Sequence, residues 1–260
     1  MMTQYLNEVQ LMKAVPSVFA AGSSEKVSER YAFIPTIDVV KGLEKAGFYP
    51  VMAKQSNCRI QERKNFTKHI IRFRNQDAQE LHGNYPEIVL VNSHDGSSSY
   101  QLRAGVYRLV CTNGLIVGDD ICCHRIHHKG DVISRVVESA NEIIDIVPEI
   151  IGKTDEWKSI ELKKEQKIAF AEVAASLKWD EDEIKIKPEQ LLTPRRRQDA
   201  PNDLWTTFNV VQENMIRGGV RYRTRDGRNS TRAVNSVSEN VKLNTALWTL
   251  TEKMAQLVKS

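Results

Sequence analysis

"EIVLVNSHDGSSSYQLRAGVYRLVCTNG", residues 87 to 114, decides the fold class. Two runs rich in β-branched and aromatic residues flank a tip of serine, aspartate and glycine, the pattern of paired strands. Asp95-Gly96 and Asn113-Gly114 supply residues that tolerate positive φ, which predicts hairpin turns at both places. Working outward, "FYPVMAKQ" (48–55) and "HIIRFRN" (69–75) precede this stretch and "LIVGDDICCHRIHH" (115–128) follows it. Counted together they predict an antiparallel sheet of about five strands.

On either side the hydrophobic period changes from two to 3.6. "IPTIDVVKGLEKAGF" sets Ile37, Val40, Leu43 and Ala46 at helical spacing, with Thr36 as N-cap and Gly47 as stop. "DVISRVVESANEIIDIVPEIIG" carries a stripe of Val132, Val136, Ile143, Ile144 and Val147. "SIELKKEQKIAFAEVAASLKW" continues it with Ile160, Leu162, Ile168, Ala171 and Leu177. Two further segments, 203–216 and 236–260, read as helices, so the C-terminal region is helical. The order of helix, sheet and helices is that of an α+β fold, the sheet packed against helices. The expected division is an N-terminal arm over 1–30, an α+β core over 31–192, and a basic loop with C-terminal helices packing on the core over 193–260. "KIKPEQLLTPRRRQDAPNDLW", with three prolines, marks the boundary.

Composition narrows the class. The 260 residues are 41% hydrophobic and 27% charged, ordinary values for a globular chain. Cys58, Cys111, Cys122 and Cys123 are too few and too clustered for a disulfide framework, which fits a reducing cytoplasm. No run of eighteen apolar residues predicts a membrane span. The net charge is only +4, so any argument for a polyanionic partner must come from distribution. Acids outnumber bases between Asp131 and Leu192, whereas nine arginines face four acids between Thr193 and Arg232.

The sharpest cluster is "IRGGVRYRTRDGR", residues 216 to 228. Arg217, Arg221, Arg223, Arg225 and Arg228, with Arg232 beyond, offer guanidinium forks to phosphate oxygens, and Tyr222 offers a ring to a base. "RRR" at 195 to 197 extends the cluster. The plainer reading is a surface loop whose arginines pair with acids of the same protein. A second basic stretch, "CRIQERKNFTKHIIRFR", places Arg59, Arg63, Lys64 and Lys68 between two strands, with Arg72 and Arg74 following on what would be an exposed face. Alternation around Ile71 and Phe73 equally fits a half-buried strand.

Other constellations point less far. In "CCHRIHH" (122–128) adjacent cysteines on a strand face opposite ways and lack the C-x-x-C spacing of a zinc site. Cys111 near His94 or His124 is the only arrangement that suggests a nucleophile. "NSHDGSSSY" lacks the pattern of a phosphate loop. No cofactor and no catalytic constellation is called for.

Several blocks together carry a resemblance: "ERYAFIPTIDVVKGLEKAGFYPV", "VNSHDGSSSYQLRAGVYRLVCTNGLIV", "FNVVQENMIRGGVRYRTRDGR" and "TRAVNSVSENVKLNTALWTL". In this order they resemble the phage/plasmid-like family of unknown function DUF932, over nearly the whole chain. The resemblance implies a mobile-element protein of the bacterial cytoplasm and transfers no catalytic residues. The order of helix, antiparallel strands with basic connections and covering helix is also similar to Rad52-type annealing proteins, which form rings or filaments with DNA in a basic groove.

The resulting expectation is a plasmid or prophage protein that binds single-stranded DNA by its backbone and promotes annealing, as a homo-oligomeric ring or filament. Two alternatives from other classes stand beside it. One is an anti-defence or regulatory protein that binds a host protein through its acidic helices. The other is a metal-dependent nuclease using His94, Asp95, His124 and His127.

Overall fold

A computed structural model describes residues 5–24, 27, 32–109, 113–118, 123–180, 186–224 and 227–259, without the side chains of residues 113, 223, 224 and 228. The chain divides into two compact units, Met1–Val147 with Asn235–Ser238, and Pro148–Val234 with Glu239–Ser260. The expected boundary at 192/193 falls inside the second. No helix of the described residues is long and apolar enough to cross a membrane.

The first unit opens with α1 (Glu8–Ala14), started by a reciprocal cap between Asn7 and Gln10. A 3-10 turn (Pro16–Phe19) follows, then α2 (Thr36–Lys45), which ends before Gly47 at φ +85°. Six strands form one antiparallel sheet: β1 (Phe48–Gln55), β2 (His69–Asn75), β3 (Asn84–Asn92), β4 (Tyr100–Arg108), β5 (Asn113–Ile116) and β6 (Cys123–Ile126). The first four run in sequence order, joined by the 3-10 turn Gln61–Phe66 and by loops. The segment expected as one last strand is two, because nine-residue β4 has room on its outer edge for both. β5 pairs with Gly105–Arg108 and β6 with Tyr100–Arg103.

Register sorts the sheet's side chains by face. Ile71, Leu90 and Leu102 stand opposite one another on one face, and Arg72, Val89 and Arg103 on the other. The first face is covered by α2 and α3 (Val132–Asp145), whose Val39, Val40, Leu43, Val136, Ala140 and Ile143 are buried with Ile71, Phe73, Ile88, Leu90 and Leu102. Each such large apolar side chain contributes about 1.5–3 kcal/mol on burial. The two helices approach closely at Gly42, where a Cβ would lie 2.5 Å from Ile133 Cγ2.

On the opposite face Arg72 lies flat. Its Nη1 donates to Glu87 at 3.1 Å and its Nη2 to the Leu115 carbonyl at 3.0 Å, and Arg74 Nη2 donates to the same Glu87 at 2.7 Å. Both arginines expected to project are therefore buried, sharing one buried carboxylate. Asn113-Gly114 is likewise no turn: Gly114 is an extended residue of β5 opposite Tyr107. It is glycine because a Cβ there would sit 2.3 Å from Arg72 Cζ, inside the guanidinium. Gly114→Ala should cost about 2–3 kcal/mol in denaturant unfolding, because Arg72 is tethered at both ends and cannot yield. A cost below about 0.5 kcal/mol would show that Arg72 moves freely.

The second unit comprises α4 (Val147–Ser159) beyond its first residue, α5 (Lys164–Ser176), α6 (Pro188–Leu191), α7 (Leu204–Arg217), a ribbon of β7 (Arg221–Thr224) and β8 (Gly227–Ser230), and α8 (Val237–Lys259) from Glu239 onward. Pro148, which has no N–H to donate, separates α4 from α3. The helix expected from residue 159 starts only at Lys164. Before it Glu161 bridges Asp203, and Ile160 and Leu162 are buried outside any helix. Asp203 caps α7 by accepting from Thr206 N at 2.7 Å. Trp157, Trp205, Phe208 and Trp248 form the aromatic centre, with ring centroids 4.6 to 6.2 Å apart. Two buried amides of α7 are paired: Gln212 donates to Asn244, and Asn214 to the Leu191 and Thr193 carbonyls.

Candidate nucleic-acid interface

The β7–β8 ribbon grows from a rigid root. α7 ends at Gly218 (φ +68°), where a Cβ would fall 2.6 to 2.7 Å from the returning backbone at Thr231 to Ala233. Gly219 N donates to Thr231 O, Thr231 N to Val220 O, and Val234 N to Ile216 O. Val220, Thr231 and Val234 are buried there. Arg195 rivets the crossing, its Nε donating to Asn214 Oδ1 at 2.8 Å and its Nη2 to the Gly218 carbonyl.

Beyond the root the ribbon packs chiefly on itself. Arg221 pairs with Ser230, Tyr222 with Asn229, Arg223 with Arg228 and Thr224 with Gly227. Pleating puts positions 221, 223, 228 and 230 on one face of the ribbon. Arg221 and Arg232 are exposed, Tyr222 is half-buried, and neither arginine has an acidic partner among the described residues. The side chains of Arg223 and Arg228, and the whole of Arg225, lie outside the described residues.

The neighbouring arginines behave differently. Arg196 donates to Asp199 at 2.8 Å and to Glu213 at 2.6 Å. Arg217, 43% exposed, shares Glu213 at 3.0 Å. Of "RRR", Arg195 and Arg196 are thus engaged by the fold, Arg196 half-buried and Arg195 exposed, while Arg197 is exposed. In the first unit Arg59, Arg63 and Lys64 are exposed on and just before the 3-10 turn between β1 and β2, without acidic partners among the described residues, and Lys68 is half-buried. This cluster and the ribbon belong to different units, and each stands by itself.

His94, one of the two groups expected beside a nucleophilic Cys111 and a member of the nuclease set, is tied into a buried polar network. Thr36 Oγ1 lies 3.1 Å from His69 Nε2, 2.9 Å from His94 Nε2, 3.1 Å from Asn92 Nδ2 and 3.3 Å from Tyr100 Oη. His69 Nδ1 faces the Thr67 carbonyl at 3.1 Å, which only accepts, so the proton sits on Nδ1 and Nε2 accepts from Thr36. His94 then donates from Nε2 to Thr36. His128 Nε2 donates to Asn92 Oδ1 at 3.0 Å. Thr36 is therefore no N-cap. Pro35 holds that position, and the Thr36 hydroxyl turns inward from the first residue of α2. Nothing in the spacing of Thr36, His69, Asn92 and His128 announces their meeting.

All three histidines are neutral at pH 7. Burial pushes His69 down to about 4, against the Thr67 carbonyl and Asp95. Burial, then the charges of His69 and His128, push His94 to about 3. Burial also takes His128 to about 4, against a hydrogen bond to the Ser98 backbone that favours the protonated ring. The unfolded chain takes up these protons from about pH 6.5 downward and the folded chain only near pH 3–4. Stability is thus unaffected above about pH 7, falls progressively below 6.5, and stops falling from this cause near pH 3. At pH 5.5 the loss is on the order of 4 kcal/mol. Denaturant midpoints at pH 7.5 and 5.5 check it; equal midpoints would contradict burial of the cluster.

His124 stands apart, its Nε2 3.4 Å from Glu142. Among the described residues no three ligating side chains converge on a metal position, so His94, Asp95, His124 and His127 are not brought together as the nuclease alternative requires. Cys58 and Cys123 are free thiols; Cys111 and Cys122 lie outside the described residues.

A sequence model described as "Domain of unknown function (DUF932)" matches residues 24–248. The chain belongs to the DUF932 family. Two relatives from Escherichia coli (strain K12), UPF0380 protein YfjQ and UPF0380 protein YafZ, are each 42% identical over 250 residues, covering 96% of this chain and 91% of theirs. No solved structure matches this DUF932 chain, so the likeness to Rad52-type proteins rests on element order alone.

Proposed function

We propose that this DUF932 protein binds single-stranded DNA by its sugar-phosphate backbone, with the β7–β8 ribbon as the principal contact, and promotes annealing of complementary strands. One observation carries this reading: the ribbon leaves Arg221 and Arg232 in solvent without acidic partners among the described residues, while Arg196 and Arg217 next to it are matched to carboxylates. A ribbon that buries no large apolar side chain beyond its root adds little to stability, and an external polyanion gives its charge a use. Arg59, Arg63, Lys64 and Lys68 supply a second cationic surface. Arg223, Arg225 and Arg228 complete the ribbon's set by sequence. The bacterial mobile-element setting and assembly into a ring or filament belong to the same proposal.

Two single variants test it. Arg221→Ala should lower the salt slope of log K for a 20-mer by about 0.7, the value of one phosphate contact on a single strand. Arg195→Ala should weaken binding with the slope unchanged, because it loosens the root and removes no phosphate contact. An unchanged slope for Arg221→Ala would count against the ribbon.

A further inference from the structure

Four of the chain's seven tyrosines gather at one end of a single sheet face in the first unit. Tyr85 on β3 stands directly opposite Tyr107 on β4, and Tyr49 on β1 is opposite Arg74 on β2. The Arg74 guanidinium lies 4.1 Å from the Tyr85 ring centroid and 5.1 Å from that of Tyr107. Tyr5 leans on Tyr49, with ring centroids 5.0 Å apart and planes at 35°. Buried Glu87 holds Arg74 in place at 2.7 Å. The row from Tyr49 to Tyr107 spans three strand spacings, about 14 Å.

These rings are not core. Tyr49, Tyr85 and Tyr107 are half-buried, and Tyr5 and neighbouring Met52 are each 38% exposed, whereas Val89, further along the same face, is fully buried. Gly105 and Gly114 keep the floor low, so that Arg72 lies along the sheet rather than standing up among the rings. The result is a cluster of partly exposed aromatic rings held together by a fixed guanidinium charge. It complements a planar, electron-poor ring attached to an anionic chain.

We infer that this face is a stacking platform for two or three unpaired nucleobases. The inference rests on the nucleic-acid reading and adds that recognition needs bases free of a duplex, since paired bases keep their faces stacked on one another.

The experiment compares oligo-dT of twenty nucleotides with an abasic strand of equal length and charge. Wild type should bind oligo-dT about tenfold or more tightly than the abasic strand. Tyr85→Leu with Tyr107→Leu, which keeps apolar bulk, should abolish that preference while leaving abasic binding intact. Tyr85→Phe with Tyr107→Phe should restore it, because a phenyl ring stacks and leucine does not. The ribbon variants should weaken both oligonucleotides alike and keep the preference, so the two readings fail separately. Preference that survives in the leucine pair, or is absent from wild type, overturns the platform. So does loss of self-association in the leucine pair with base preference unchanged, which would assign the face to a second copy. No binding of either strand by wild type overturns both readings.

Discussion

Thr36→Val is expected to destabilise the protein by about 4 kcal/mol, measured by chemical denaturation at pH 7.5. Valine matches threonine in shape, so packing on the sheet is preserved and the loss isolates the hydroxyl. That one oxygen accepts from His94 Nε2 and Asn92 Nδ2 and donates to His69 Nε2, all fully buried. Its removal strands two donors and one acceptor where water has little access, each at about 1–3 kcal/mol. Thr36→Ser keeps the oxygen and loses one methyl, so it should cost only about 1 kcal/mol. The network joins α2 to β2, β3 and the segments after β3 and β6, so the loss should appear as lower global stability. Equal stability of the valine and serine variants would mean that the three groups find other partners.

The second large effect belongs to the ribbon. Replacing Arg221, Arg223 and Arg225 together by alanine should weaken binding to a single-stranded 20-mer about a hundredfold at low salt and slow annealing in proportion. An exposed guanidinium–phosphate contact contributes about 1 kcal/mol after solvation, and three of them give roughly two powers of ten. Folding should be untouched, because Arg221 makes no side-chain bond among the described residues and the root is held by Arg195, Gly218 and Thr231. A thermal midpoint within about 2 °C of wild type is the accompanying control.

Local patterns in the sequence carried the sheet and the first helices. "FYPVMAKQ" and "HIIRFRN" are β1 and β2 residue for residue, because alternation and turn chemistry are properties of adjacent residues. Errors arose where distant residues decide. Gly114 has the look of a turn glycine, and only Arg72, forty-two positions earlier in the chain, explains why it is extended. Arg72 and Arg74 read as surface charge until Glu87 is placed beside them by strand pairing. Thr36 sits where an N-cap belongs, yet its partners come from four other parts of the chain. Among the basic residues, sequence alone did not separate Arg195, Arg196 and Arg217, which the fold uses, from Arg221 and Arg232, which it leaves in solvent. The tyrosine row had no signal at all, since its members are far apart in the chain and meet only through register.

The salt dependence of oligonucleotide binding by wild type and by the Arg221, Arg223 and Arg225 triple-alanine variant tests the ribbon directly. A plot of log K against log salt for the variant should be shallower by about 2, three contacts at about 0.7 each. Parallel lines for the two proteins would mean that the guanidiniums never meet a phosphate, and would contradict the ribbon as a nucleic-acid contact.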